Sequence, residues 1–281
     1  MKEGRKLKSI DPMNLVSSYI MPHRNGASNY FKASIDITET EKFIRQKRSE
    51  GKKGLGMMHI VMASYVRTIA SLPSINRFIR GQKIYARNGI DICLTIKKEM
   101  ALHAAETVVK IPAKPEDTID DVYKNANDII VENKNESTQN GMDSTAKFLT
   151  YIPGIFLKFI VWILKTMDYF GILPKALVRV SPFHASMFIT NMGSLGIDPI
   201  FHHLYDFGNL PVFCAIGKKR TEYQLQPDGS VKKVRIMELT VVCDERICDG
   251  HYYATAFKTW KKLIENPQLL NEPPKKVVID Q

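Results

Sequence analysis

The sequence predicts an α/β fold in which a β-sheet packs against helices. Residues 30–37 alternate apolar and polar side chains, as a half-buried strand does. Residues 186–190, 212–216 and 231–243 give three further strand patterns. Residues 57–72 and 253–264 instead repeat apolar side chains at helical spacing. Strand and helix patterns in one chain of this length favour a layered fold.

Composition limits the class of protein. The chain has 281 residues, 44% hydrophobic and 25% charged, as expected for a globular protein with a large core. We interpret residues 1–281 as a single domain that begins with an N-terminal arm at residues 1–28. No apolar segment follows the basic N-terminus, so we expect no secretory signal and a cytoplasmic location. The cysteines are too scattered for a disulfide framework or a zinc site, and we predict no metal.

The net charge of +11 is compatible with several partners. Nucleic acid, an anionic membrane surface and a polyphosphate ligand such as coenzyme A all attract a basic protein. A basic surface that is merely solvated is the remaining interpretation. The lysines and arginines are spread along the chain without a recognised binding motif, so we predict no nucleic-acid partner.

The middle of the chain follows the same alternation of elements. Thr38 is placed to begin a helix, and residues 78–85 predict a hairpin that turns at Gly81. Residues 89–97 and 102–111 predict two more strands, and residues 118–131 an amphipathic helix. Residues 133–147 are polar and rich in turn formers, which predicts a loop.

Residues 148–180 form the most apolar part of the sequence. Lys158, Lys165 and Asp168 interrupt the segment, and a membrane span needs about 20 mostly uncharged residues. We therefore predict an inserted helical segment and keep three interpretations of it. It is a helix buried in the fold or at an oligomer interface, or a helix lying on a membrane surface through residues 153–173, or the wall of an apolar substrate site.

The most informative stretch is residues 241–251. An apolar strand leads into Asp244, Glu245 and Arg246, then into Asp249-Gly250, and directly into the last helix. Residues 244–250 and 265–270 together resemble the C-terminus of the acyltransferase catalytic domain of 2-oxo-acid dehydrogenase complexes, which reads Asp-His-Arg-x-x-Asp-Gly at the corner. Residues 188–196, 211–217, 34–38 and 72–76 resemble other motifs of that family in order and spacing. The likeness covers about residues 29–270.

The resemblance implies a fold shared with chloramphenicol acetyltransferase: a two-layer sandwich with a mixed β-sheet flanked by helices. It also implies a homotrimer, or a multiple of trimers, with the site in a channel between subunits. Three features depart from the family. No lipoyl domain or peripheral-subunit-binding segment is recognisable, residues 148–180 replace a short connection, and the catalytic histidine is replaced by Glu245. We therefore do not expect a working subunit of a dehydrogenase complex.

The same resemblance implies a chemistry. The family histidine takes a proton from a thiol or hydroxyl that attacks a thioester, and a hydroxyl from the neighbouring subunit stabilises the oxyanion. By position, Glu245 becomes the base and Thr190 the hydroxyl donor, and Asp249 belongs to the Asp-Gly pair that shapes the turn. A carboxylate has a reference pKa about 2 units below that of imidazole, which is roughly 3 kcal/mol less proton affinity.

Alternatives exist at each position. In one alternative, Glu245 is an inert ion-pair partner of Arg246. In another, Thr190 is an ordinary strand residue. The secondary base candidates are His251, His202, His203 and His184. The leading hypothesis is a coenzyme A-dependent acyltransferase that acts on acyl-CoA and a small-molecule acceptor. The competing hypothesis is an inactive homologue that serves as a trimeric scaffold or ligand-binding protein, with a peripheral location at a membrane surface as a further alternative.

Overall fold

The computed structural model describes residues 3–97, 106–135 and 151–280. Its α-helices are α1 (Pro12–Ile20), α2 (Thr38–Ser49), α3 (Met57–Ser71), α4 (Ile119–Asn135), α5 (Gly154–Phe170), α6 (Lys175–Val180) and α7 (Gly250–Glu265). Its strands are β1 (Gly4–Lys6), β2 (Ser28–Asp36), β3 (Arg77–Arg80), β4 (Lys83–Arg87), β5 (Ile90–Lys97), β6 (Glu106–Ala113), β7 (Met187–Asn191), β8 (Val212–Leu225) and β9 (Val231–Asp244). Short 3-10 turns lie at Asn25–Ala27, Pro73–Asn76, Met192–Leu195, Glu245–Ile247 and Pro267–Leu270.

Six strands form a mixed sheet in the order β2-β9-β8-β7-β5-β6. β7 runs parallel to β5 and β8, and the other pairs are antiparallel. The hairpin of β3 and β4 pairs with β1 in a separate three-stranded sheet. The predicted mixed sheet flanked by helices is confirmed.

One face of the large sheet carries the main core. Alternate residues of the central strands, such as Ile189, Cys214 and Val241, are buried there against α3 and α7. The α3 and α7 helices lock together through Trp260, whose indole N–H donates to the Val61 carbonyl at 3.1 Å. Since side chains alternate along a strand, the other face holds the residues in between.

That second face carries a smaller cluster beneath the segment that joins β7 to β8. Phe213 and Val242 are buried there, together with Leu204 and Leu210 from the covering segment. The ring of Phe188 stacks on that of Phe213 with the centroids 4.9 Å apart. Thr190 lies on this face, two residues after Phe188.

Three predicted boundaries need correction. The strand predicted at residues 212–216 continues to Leu225 as β8. The loop predicted at residues 133–147 begins late, because residues 133–135 are the last residues of α4, and residues 136–147 lie outside the described part. The strand predicted at residues 102–111 is β6, although residues 102–105 lie outside the described part.

The inserted segment forms α5 and α6, as the prediction of a helical segment requires. However, no side chain of the described helix α5 is buried. The interpretation of this segment as a helix buried in the fold is therefore wrong. The apolar sequence is explained by an outward-facing surface rather than by a core position.

Candidate functional site

The corner after β9 is held by a buried ion pair. Asp244 is the last residue of β9, and its carboxylate accepts hydrogen bonds from Nε and Nη2 of Arg246 at 2.8 and 2.7 Å. Both side chains are almost fully enclosed. The hydroxyl of buried Tyr253, on α7, donates to the Asp244 carbonyl at 2.8 Å. These bonds fix the direction in which the chain leaves the sheet.

A second buried cation, Arg24, approaches the same carboxylate from the N-terminal arm. Its Nε lies 3.5 Å from Oδ2 of Asp244. Its terminal nitrogens donate to the carbonyls of Tyr205 and Gly208 at 2.7 and 2.6 Å. Burial lowers the pKa of Arg24, against the attraction of Asp244 that raises it. Thus the arm, the segment before β8 and the corner meet at one ionic cluster.

Glu245 stands next to this cluster but outside it. It begins the 3-10 turn that follows β9, and its side chain is exposed. The guanidinium of Arg246 is directed to Asp244 and to the carbonyls of Met21 and Pro22. In the described structure the Glu245–Arg246 ion pair considered above is therefore not formed, and that alternative is corrected to an Asp244–Arg246 pair.

Asp249 and His251 follow at the start of α7. Asp249 is the N-cap residue, and its carboxylate accepts from the backbone N–H of Tyr252 at 2.8 Å. This contact is a standard helix cap and satisfies one of the free N–H groups of the first turn. His251 is exposed in that turn.

Thr190 and Glu245 are far apart within one chain. Thr190 pairs with Ala215 of β8, and Ala215 pairs with Thr240 of β9. Glu245 comes five positions after Thr240, so the two residues are separated by about 17 Å along the strands and about 10 Å across them. A single chain therefore does not join the two predicted groups into one site.

A cavity of about 570 Å³ lies at the end of β7, on the sheet face that carries Ile216 and Met237 and opposite the side chain of Thr190. Asn191 and Gly193 line one side, and Lys218 and Lys219 line the other. A Cβ atom on Gly193 would lie 2.4 Å from the carbonyl oxygen of Gly217, so only glycine permits this approach of the two backbones. The cavity thus combines exposed backbone with two lysine ammonium groups.

Among the secondary base candidates, His202 lies on the sheet face that carries Thr190. Its imidazole stacks on Phe213 with centroids 3.9 Å apart, and its Nδ1 lies 2.8 Å from the His203 carbonyl oxygen. Partial burial lowers the pKa of His202, which favours the neutral ring. His203 is exposed beside it.

His184 has a different environment because it is fully enclosed. Its Nε2 lies 3.0 Å from Oδ1 of Asp168, and its Nδ1 lies 2.8 Å from the Ser181 hydroxyl. Burial lowers the pKa of His184, although the hydrogen bond to Asp168 raises it. Asp168 also accepts from the backbone N–H of Gly208 at 3.1 Å. This Asp168–His184 contact ties α5 to the segments around β7.

The sequence reasoning missed the members of the ionic cluster other than Arg246. Asp244 is part of the corner motif, but the motif does not identify its partners. Arg24 has no local sequence signal, because its contacts are with distant segments. The available signal was a charge directly after the apolar run at residues 241–243, since a buried carboxylate requires a cation. Lys218 and Lys219 carried no signal, because basic residues are frequent throughout this chain.

Comparison with known proteins adds a family to this geometry. Residues 183–271 match the sequence model of the family described as 2-oxoacid dehydrogenases acyltransferase (catalytic domain). The matched part contains Thr190, Glu245 and Asp249. It confirms the resemblance that the corner and the β7 and β8 motifs indicated.

Solved structures extend the likeness over nearly the whole chain. A probable dihydrolipoamide acetyltransferase from Listeria monocytogenes 4b F2365 has a TM-score of 0.58 at 15% identity, covering 94% of this chain and 95% of that one. The dihydrolipoamide acetyltransferase of Azotobacter vinelandii has a TM-score of 0.55 at 13% identity, covering 94% of each. For chloramphenicol acetyltransferase the values are 0.52 and 11%, covering 92% of this chain and 99% of that one.

At these identities the structures establish the fold alone, which is the chloramphenicol acetyltransferase-like α/β sandwich shared by the acyltransferases of 2-oxo-acid dehydrogenase complexes. A search among curated proteins gives no match. Across the described ranges, none of the helices is long and apolar enough to cross a bilayer.

Proposed function

We propose that this protein is a coenzyme A-dependent acyltransferase whose site lies in a channel between the subunits of a homotrimer. Glu245 of one subunit takes the proton from the attacking thiol or hydroxyl. Thr190 of the neighbouring subunit donates its hydroxyl to the oxyanion of the tetrahedral intermediate. Acyl-CoA is the acyl carrier and a small molecule is the acceptor. Collapse of the intermediate breaks the C–S bond of acyl-CoA, and the proton held by Glu245 passes to the departing thiolate of coenzyme A.

The observation that carries this proposal is the position of Glu245. Its carboxylate is exposed at a corner whose other charged groups, Asp244 and Arg246, are buried and bonded to each other. A carboxylate held in an inert ion pair would be a poor base, whereas this one is presented to solvent on a fixed turn.

The separation of Glu245 and Thr190 within one chain supports a site between subunits. The two residues are about 19 Å apart by the strand spacing, which is too far for a shared proton or oxyanion. A second copy that presents its β7 end to the corner would supply the missing hydroxyl. The trimer follows from the resemblance and is part of the proposal.

The cavity at the end of β7 supports a place for coenzyme A. Lys218 and Lys219 line it, and both ammonium groups already face carboxylates, Asp198 at 3.5 Å and Glu41 at 2.9 Å. Both ammonium groups are partly exposed and remain available to a phosphate in addition to these partners. The net charge of +11 favours the approach of such a polyanion.

Asp249 has a positioning role in this proposal. The Azotobacter vinelandii enzyme was investigated for the catalytic roles of a serine, a histidine and an asparagine four positions after that histidine. Asp249 stands four positions after Glu245, and here its carboxylate caps α7. Asp249→Asn keeps a good capping residue, so we place its effect on turnover well below that of Glu245→Gln.

The experiment is a thiol-release assay with a panel of acyl-CoAs and acceptors. Glu245→Gln removes the base without changing its size, and we expect turnover to fall by about 100-fold or more. Glu245→His restores the family residue, and we expect turnover at neutral pH to rise by about tenfold and to follow the titration of an imidazole near pH 6.5. Glu116→Gln, at another exposed glutamate, is the matched control.

The competing function is an inactive trimer that serves as a scaffold or binds a ligand. Its support is the replacement of the family histidine by Glu245. Retained binding of coenzyme A with no turnover in the native protein, but turnover in Glu245→His, would establish it. If His202→Gln abolishes turnover and Glu245→Gln does not, the base is His202 rather than Glu245. We place the protein in the cytoplasm, where its four free, buried cysteines would stay reduced.

A further inference from the structure

Helix α1 exposes its apolar residues and turns its polar residues inward. Its exposed side chains include Met13, Val16, Tyr19 and Ile20, and Ile20 is 72% exposed. Its buried residue is Ser18, whose hydroxyl donates to the Gln82 carbonyl at 2.8 Å. A helix on the surface of a globular protein has the opposite arrangement. The outer face of α1 therefore requires a partner.

Helix α5 has a second apolar surface. Ile155, Phe156, Phe159, Trp162 and Phe170 are exposed on a common arc of the helix. The rings of Phe159 and Trp162 stack with centroids 5.8 Å apart. Trp162 remains 61% exposed, although tryptophan is a side chain that normally gains much from burial.

The two helices meet at the tip of the hairpin formed by β3 and β4. Ser18 of α1 bonds the backbone of Gln82, and the hydroxyl of Tyr169 on α5 donates to the side-chain oxygen of the same residue at 2.8 Å. Helices α1 and α5 are therefore neighbours that both contact the same turn.

The charges on these helices are unequal. α1 contains no charged residue. α5 contains Lys158 and Lys165, both exposed and on the same edge of the apolar arc, and one acid, Asp168. Asp168 is engaged by His184 and the Gly208 N–H. Packing of α5 against α5 of a second copy would bring lysines against lysines, whereas an anionic surface neutralises them.

We propose that the exposed apolar faces of α1 and α5, flanked by Lys158 and Lys165, dock this protein on an anionic phospholipid membrane. Aromatic and aliphatic side chains enter the boundary between headgroups and acyl chains, and the lysines contact the headgroup charge. α5, with 17 residues, lies in the plane of the membrane and does not cross it.

The test uses the two tryptophans as reporters. Trp260 is buried and bonded in the core, so added lipid reaches Trp162 alone. We expect vesicles of phosphatidylcholine with phosphatidylserine to shift the tryptophan fluorescence of the full-length protein to the blue. At low salt the protein should sediment together with these vesicles. Trp162→Phe should lose the spectral shift and keep the sedimentation. Vesicles of phosphatidylcholine alone should bind at least about fivefold more weakly, as expected for the loss of lysine–headgroup attraction.

Matched variants locate the surface. Phe159→Ser with Trp162→Ser, and separately Val16→Ser with Ile20→Ser, should each weaken sedimentation by at least about tenfold. Leu225→Ser with Val231→Ser removes equally exposed apolar side chains from the β8–β9 hairpin. This control should leave sedimentation with the vesicles unchanged. Lys158→Glu with Lys165→Glu should abolish the preference for the anionic vesicles.

Three outcomes would overturn the proposal. The native protein fails to bind anionic vesicles at low salt, or the α5 variant binds as well as the native protein, or the hairpin variant loses as much binding as the helix variants. Sedimentation velocity separates the main alternative: a native oligomer that dissociates in the α1 and α5 variants assigns these faces to contacts between copies. None of these readouts requires enzymatic activity, so they remain informative if the proposed acyl transfer fails.

Discussion

At the corner after β9, the charged side chains that shape the turn are buried and paired, whereas in helix α5 every side chain has some exposure. The corner is fixed by Asp244, Arg246, Arg24 and Tyr253 from three parts of the chain. α5 is attached through the contacts of Asp168 and Tyr169. The geometry at residue 245 is therefore maintained by its neighbours and not by the residue itself. A change of the side chain at position 245 is therefore expected to leave the fold intact.

The largest loss of stability is expected when the ionic cluster at the corner loses Asp244. Asp244→Ala leaves Arg246 buried without its carboxylate, and Arg24 loses the same partner. Breaking a buried pair from one side costs about 3–5 kcal/mol. We expect the free energy of unfolding, measured in a guanidinium titration, to fall by that amount. A variant that unfolds with native stability would show that the corner is not held by this cluster.

Much of this fold was predictable, and the reason lies in local patterns. The strand at residues 30–37 and the helix at residues 57–72 were found because alternation and helical spacing are visible within one element. The corner was found because its letters form a contiguous motif. Arg24 and Asp168 were not found as partners, because their contacts with Asp244 and His184 join distant segments. Apolar composition also misled the interpretation of α5, since it does not distinguish a buried helix from one with an exposed apolar face.

The next effect concerns the attachment of α5. Asp168→Ala removes the acceptor of both His184 and the Gly208 N–H, and leaving a buried donor unpaired costs about 1–3 kcal/mol. We expect faster proteolysis within residues 151–180, while the guanidinium midpoint of the core changes less. Asp168→Asn retains one acceptor, so its rate of proteolysis should lie between those of the native protein and Asp168→Ala. Equal protection of all three proteins would refute this role of Asp168.

Acid should open the same attachment. The pKa of His184 is lowered by burial, so the folded protein binds that proton less readily than the unfolded chain, whose reference value is about 6.5. The stability contributed by neutral His184 is complete above about pH 6.5 and is lost as pH falls through the lower folded pKa. Burial opposes ionisation of Asp168, but its bond to His184 and the nearby Arg80 and Arg24 lower its pKa overall, so its contribution is lost only at lower pH, below about 3.9.

The measurement is proteolysis within residues 151–180 as pH falls below about 6.5. His59 on α3 also has its pKa lowered by burial, to about 4, so the global stability of the native protein declines over an overlapping range. His184→Phe isolates the local effect. We expect this variant to weaken the attachment at neutral pH and to remove the dependence of local proteolysis on pH above about pH 5. If His184 plays no part, that dependence will persist in the variant.

The smallest effect is expected at Glu245 itself. Its side chain is exposed, and the corner bonds are made by Asp244 and Arg246. Substitution of an exposed residue away from such bonds changes stability by about 0.5 kcal/mol or less. Glu245→Gln should therefore unfold at the same guanidinium concentration as the native protein, whatever its effect on turnover. A loss of stability comparable to that of Asp244→Ala would make Glu245 a structural residue, and a fall in turnover could then no longer be assigned to proton transfer.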